Sequence, residues 1–226
     1  MKKICSFALF LTTLCLALFL FTSNAFSQAK GPLIRDVSID LDVANTPIWK
    51  VINVMEKGGI SNRNWIQVEV NFTTAQSNNI GASLDDVSAE FEILLPTEDS
   101  RQPYVLVSGK VTYWAFAMDG GKHHLLAFIP PRIIEKWGLS SKKLSRNDVS
   151  KMDARVLFKY NDADIGLGFQ VPKQGTAAAV AEKFAKAKLM PNLPREKNGI
   201  LGQDKTPWAG LNYDYYEAVK VTESSK

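Results

Sequence analysis

His123 and His124 are the only histidines of the chain, and as a neighbouring pair they invite a metal-binding reading. Adjacent residues of a strand project to opposite faces, so two imidazoles in that arrangement cannot converge on one ion. Asn161, Asp162 and Asp164 could hold calcium, but the segment lacks the glycine and the distal glutamate of an EF-hand loop. Turn chemistry accounts for them without an ion. The carboxylates Asp36, Asp40, Asp42, Glu90 and Glu92 alternate with apolar residues, as on the wet side of a sheet, and a hydrolase built on two of them is the enzymatic alternative. No Gly-x-Ser-x-Gly, His-Glu-x-x-His or Gly-x-Gly-x-x-Gly string occurs. The expectation is therefore a protein without catalytic residues, bound metal or cofactor.

The two cysteines, Cys5 and Cys15, lie in a segment with its own character. Lys2 and Lys3 precede an apolar run from Ile4 to Phe21, and small-residue sites follow at Ser23-Asn24-Ala25 and Ser27-Gln28-Ala29, the three-part layout of a secretory signal. Residues 1–29 are expected to direct export to the periplasm or cell surface and then to be removed. Cleavage after Ala25 or Ala29 leaves no thiol, and with it no disulfide or cysteine nucleophile. Membrane contact would then be confined to the uncleaved leader. The net charge of the whole chain is only +4 and loses Lys2 and Lys3 with the leader, so nothing resembles a phosphate-tracking stripe and nucleic acid is not an expected partner.

The elements beyond the leader follow a period of two from residue 33 to 172. Leu33, Val37, Ile39 and Leu41 share one face, Ile66, Val68, Val70 and Phe72 another, and Ala89, Phe91, Ile93 and Leu95 a third. Tyr104 to Trp114 and Lys122 to Ile129 flank a turn at Met118-Asp119-Gly120-Gly121, and Met152 to Tyr160 and Ile165 to Val171 flank one at residues 161–164. About seven strands without interleaved helices predict an antiparallel β-sandwich of immunoglobulin-like type over residues 30–172. Pro131 to Trp137 suits a short inserted helix, and Thr176 to Leu189 an amphipathic one. That second helix and an aromatic stretch give residues 173–226 the character of an extension packed on the sandwich.

Apolar side chains occur on both faces of some strands. If Leu125, Ala127 and Ile129 fill the core, Leu126 and Phe128 point away from it, as do Leu106 and Trp114 on the preceding strand. The helix or the aromatic end of the chain is expected to cover them, because both supply apolar surface. Leu106, Trp114, Leu126, Phe128, Trp208, Tyr213, Tyr215 and Tyr216 together make the candidate interaction surface, with a second copy or another protein as partner. A small ligand stacked on the aromatic tail is the other binding alternative.

Several strings carry a family resemblance: Asn45-Thr46-Pro47, Asn62 to Val70, Ser108 to Tyr113, Leu125 to Pro130, and Lys205 to Gly210 followed by Tyr213 to Tyr216. They resemble the small secreted pilus-like proteins of Akkermansia type, chiefly over residues 33–172. The resemblance implies an immunoglobulin-like sandwich, no established catalytic site, and a structural, assembly or adhesive role in the cell envelope. A type IV pilin retains its hydrophobic N-terminal helix, whereas this chain is expected to lose its apolar run.

Overall fold

Seven long strands build two sheets in the computed structural model, which describes residues 31–47, 63–171, 175–210 and 214–221. The expected leader, with Lys2, Lys3, Cys5, Cys15 and both cleavage sites, lies outside the described residues. In chain order the strands are β1 (Ile34–Asn45), β2 (Asn64–Thr74), β3 (Ser83–Pro96), β4 (Tyr104–Ala117), β5 (Lys122–Ile129), β6 (Asp153–Tyr160) and β7 (Ala163–Phe169). Two further strands have two residues each, β8 (Arg195–Glu196) and β9 (Leu201–Gly202). One sheet has the order β1-β2-β5-β9 and the other β7-β6-β3-β4-β8, with every pairing antiparallel except β4 with β8. The fold is the mainly β sandwich that the alternation predicts.

The core lies between the sheets. Ile66, Val68, Val70 and Phe72 of β2 stand in register with Ile129, Ala127, Leu125 and His123 of β5, and face Ala89, Phe91, Ile93 and Leu95 of β3. Each such side chain, removed fully from water, stabilises the fold by about 1.5–3 kcal/mol. Phe72, Phe116 and Phe158 meet at centroid distances of 5.0 to 6.4 Å, in tilted and edge-on arrangements that their quadrupoles favour.

The first strand departs from simple alternation. Ile34, not Leu33, is buried, because the register with β2 shifts between Arg35 and Ser38. Asp36 takes φ 51° there and its carboxylate accepts the Thr73 hydroxyl at 2.8 Å. One extra residue moves every preceding side chain to the other face. The expected turns form as predicted. Asn161 and Asp162 both have positive φ in the two-residue link between β6 and β7, and Asp119 accepts the Gly121 amide at 2.7 Å between β4 and β5.

Among the described residues three α-helices accompany the sheets. Helix α1 (Pro131–Lys136) has proline in its first turn and stops before Gly138, which takes φ 90°. Helix α2 (Arg146–Val149) was not apparent from apolar spacing, but Ser145 and Asp148 close a capping box around it. Helix α3 (Ala177–Leu189) begins at Thr176, whose hydroxyl accepts the Ala179 amide at 3.2 Å. Among the described residues no helix is long and apolar enough to cross a membrane.

Candidate interaction surfaces

Leu106, Leu126, Phe128 and Trp208, four of the eight residues singled out above, are interior. Leu106 and its neighbour Leu94 on the outer face of the five-stranded sheet lie beneath Val180, Phe184 and Ala187 of α3. The helix is pinned by charge as well, at its middle and at its C-terminal end. Lys183 pairs with Asp153, and Lys188 reaches Glu92 at 2.8 Å, where Arg155 also binds at 2.5 Å. Glu92 therefore joins β3, β6 and α3, and Glu90 pairs with Lys159 at 3.3 Å. Both acids hold structure together.

The outer face of the four-stranded sheet is covered from the other direction. Phe128 stacks on Trp208 with rings parallel to 5° and centroids 4.3 Å apart, and Trp65 meets both rings edge-on. The Trp65 indole donates to the Thr46 hydroxyl at 3.0 Å, and the Gln203 amide donates to the Trp208 carbonyl at 3.2 Å. Leu126 completes this cluster. Its apolar area is satisfied within the chain and is not available to a partner.

Beyond Trp208 the chain crosses the side of the sandwich. The Glu217 amide donates to the His124 carbonyl of β5 at 2.9 Å, the Trp114 amide of β4 donates to the Ala218 carbonyl at 3.0 Å, and the Lys220 amide donates to the Thr112 carbonyl at 2.8 Å. With β8 beside Leu106 and Val107, Gly199 bonded to Ser108, and β9 beside Ala127 and Phe128, this strap seals the opening between β4 and β5. A Cβ on Gly109 would come within 2.2 Å of the Ile200 carbonyl oxygen, so only glycine admits the segment there.

His123 and His124 point to opposite sides of β5, as strand geometry requires. His123 is buried, stacks on Phe72 at 5.3 Å, and places Nδ1 2.6 Å from a Glu217 carboxylate oxygen; Nε2 faces Thr74 at 3.3 Å and Asp119 at 3.4 Å. The Glu217 hydrogen bond raises the imidazole pKa above its ordinary value, against the opposing effect of burial. Glu217 was not legible as its partner, since no pattern distinguishes it within the tyrosine-rich end. Nearby, the Tyr113 hydroxyl is enclosed without a hydrogen-bond partner, and burial pushes its pKa up. His124 faces outward, bonds to Asn71 and stacks on Tyr215 at 3.8 Å.

What remains exposed is narrower than the sequence suggested. Trp114 is 55 % exposed, with the Lys220 ammonium 5.0 Å above its ring and paired to Asp86. Tyr215 is 58 % exposed, Tyr216 bridges it to the Trp208 cluster, and Tyr213 lies outside the described residues. The other lateral side differs from the sealed one. Among the described strands β1 and β7 end their sheets, β1 pairing with β2 and β7 with β6. A Cβ on Gly166 would meet Ile34 at 2.7 Å and one on Gly168 would meet Val37 at 2.2 Å, so these glycines let β1 lie directly against β7.

The two edges are protected unequally. β1 carries the bulge at Asp36, the Asp42 carboxylate occupies the Val43 amide at 2.7 Å, and Arg146 grips Asp42 through two bonds of 2.7 and 2.6 Å. β7 contains neither lysine, arginine nor proline, and Leu167 on its outer face is 48 % exposed opposite the half-buried Leu157.

A protein-family model matches residues 27–223. Three solved chains match the fold. One, a crystal structure from Akkermansia muciniphila, is 16 % identical with a TM-score of 0.58, over 84 % of this chain and 94 % of its own. No curated protein matches.

Proposed function

The chain belongs to the Akkermansia-type pilus-like family, and from that premise we propose that it acts without catalysis, as an exported component of the cell envelope that works by protein association. Removal of residues 1–29 releases the sandwich to the periplasm or cell surface. It then meets partners through its folded surface rather than through a retained apolar helix.

The observation that carries this reading is the contrast between the two sides of the sandwich. The β4 and β5 side is occupied by the chain's own β8, β9 and strap. Among the described residues no strand pairs with the outer side of β7, where Leu167 is exposed and Asp164 is the one charged side chain of the strand. Such an edge is a template for another strand, and a second copy of this chain is the partner the family premise favours.

Sedimentation velocity of the purified chain from residue 30 onward tests the reading. The sedimentation coefficient is expected to rise with concentration, and Leu167→Lys is expected to hold the protein monomeric at the same concentrations. A monomer at every concentration, or association that Leu167→Lys leaves unchanged, contradicts it.

A further inference from the structure

The strap that closes the β4 and β5 side is fastened at a buried ring. His123 of β5 lies between Phe72 and Phe116, at centroid distances of 5.3 and 6.2 Å, and its side chain is only 7 % exposed. The Glu217 carboxylate of the strap meets Nδ1 at 2.6 Å. On the far side of the ring, Nε2 faces the Asp119 carboxylate of the β4–β5 turn at 3.4 Å and the Thr74 hydroxyl of β2 at 3.3 Å. Thr74 donates its one hydroxyl hydrogen to the Ala117 carbonyl at 2.8 Å, so it turns a lone pair towards the ring. Every group at the two nitrogens is therefore an acceptor, and only the imidazolium, a donor at both, satisfies all of them. We propose that His123 is a proton-operated latch: as the imidazolium it holds the strap across β4 and β5, and on losing its proton it lets the strap open and bares the Thr112–Trp114 stretch of the β4 edge.

Neither neutral form of the ring fits its surroundings. With the proton on Nδ1, the Nε2 lone pair faces the Asp119 carboxylate, and Thr74 relieves it only by leaving the Ala117 carbonyl. With the proton on Nε2, the Nδ1 lone pair opposes a carboxylate oxygen at 2.6 Å and repels the strap. The surrounding elements contribute little else that titrates. Among the described residues Glu217 from the strap and Asp119 from the turn are the charged groups at the ring. β2 adds Thr74 and Phe72, and β4 adds Phe116 and Tyr113. Burial raises the Tyr113 pKa, and Asp204 and Glu217 push it the same way, so that hydroxyl stays neutral.

The remaining ties of the strap are weak enough for it to open alone. They are three backbone hydrogen bonds, at Glu217, Ala218 and Lys220, and the surface pair of Lys220 with Asp86. The Glu217 hydrogen bond, the largest influence on the ring, raises its pKa. The latch is therefore shut on the acid side, as long as Glu217 is ionised, and opens as pH rises through the folded value. Opening bares a second strand edge beside the exposed Trp114, on the side the chain otherwise seals.

Hydrogen exchange of the 15N-labelled chain from residue 30 onward tests the latch between about pH 5 and about pH 9, a range that spans histidine titration. Rates are divided by those of the unstructured sequence at each pH, and the His123 and His124 imidazole signals are followed in the same samples. Protection of the Trp114, Glu217 and Lys220 amides is expected to fall by about tenfold, the ratio set by the charge on one hydrogen bond, with its midpoint at the His123 titration. The Phe91 and Ile93 amides of the central strand β3 are expected to stay better protected than the strap at every pH. Glu217→Gln is expected to remove the step and leave the strap poorly protected throughout. Asp119→Asn, on the exposed turn, is expected to move the step and the His123 titration to lower pH together. The proposal is overturned if strap protection shows no step, if the step follows His124, which touches the strap through Tyr215, or if it persists in Glu217→Gln. It is equally overturned if strap and β3 share one protection, because the strap then opens only with the whole fold. None of these outcomes alters the sedimentation of Leu167→Lys, so the latch and the β7 edge stand or fall separately.

Discussion

The ion pair between His123 and Glu217 ties a group that titrates near neutral pH to the strap. Its raised histidine pKa fixes the sign of a pH effect. Because the folded value exceeds the unfolded value of about 6.5, the contribution is complete below about pH 6.5, as long as the carboxylate is ionised, and is lost as pH rises through the folded value. Asp119, on the other side of the ring, adds to the same direction. Denaturation midpoints of the wild type and Glu217→Gln should therefore differ most on the acid side of that window and converge above it; a constant gap would show that the charge state of His123 is irrelevant. Trp208 acts through packing instead. Its truncation to alanine leaves Phe128 and Trp65 facing a void, and a loss of about 3–5 kcal/mol in denaturant unfolding is expected. At this scale the sequence was partly readable. The opposite projection of His123 and His124 follows from strand geometry alone, whereas Glu217 gains its meaning from a contact across 94 residues that no local spacing encodes.

Among the elements, α3 and β7 carry the sharpest consequences. Phe184 is buried against Leu94, Leu106 and Phe169, so Phe184→Ala should cost about 3–5 kcal/mol and expose Leu106 to a hydrophobic dye. Unchanged dye binding would mean the helix does not depend on that anchor. Gly168→Ala places a Cβ where Val37 already stands, and separating β1 from β7 should cost about 1–3 kcal/mol, measurable as a lowered midpoint. The strands from β2 to β7 were legible because the core-facing residues of each keep a period of two, even where β3, β4 and β5 also bury apolar residues on the outer face. The helix α2 was not read from the sequence, since a capping box without an apolar stripe is its local signal, and the two-residue strands β8 and β9 are too short for any period. Leu33 illustrates a different limit: a single bulge at Asp36 reversed its face, and sequence alternation alone cannot see an inserted residue.

For the molecule as a whole, apolar residues on both faces of a strand had two readings, an interface or an internal cover. The chain supplies the cover itself for Leu106, Leu126 and Phe128, and the association proposed above is therefore assigned to the β7 edge. Hydrogen exchange of the β7 amides from Asp164 to Phe169, measured at low and high protein concentration, tests that claim most directly. Strand addition at β7 predicts protection that grows with concentration in β7 while the β4 amides next to the strap stay unchanged. Association without any gain in protection at β7, or protection that appears elsewhere instead, would contradict it.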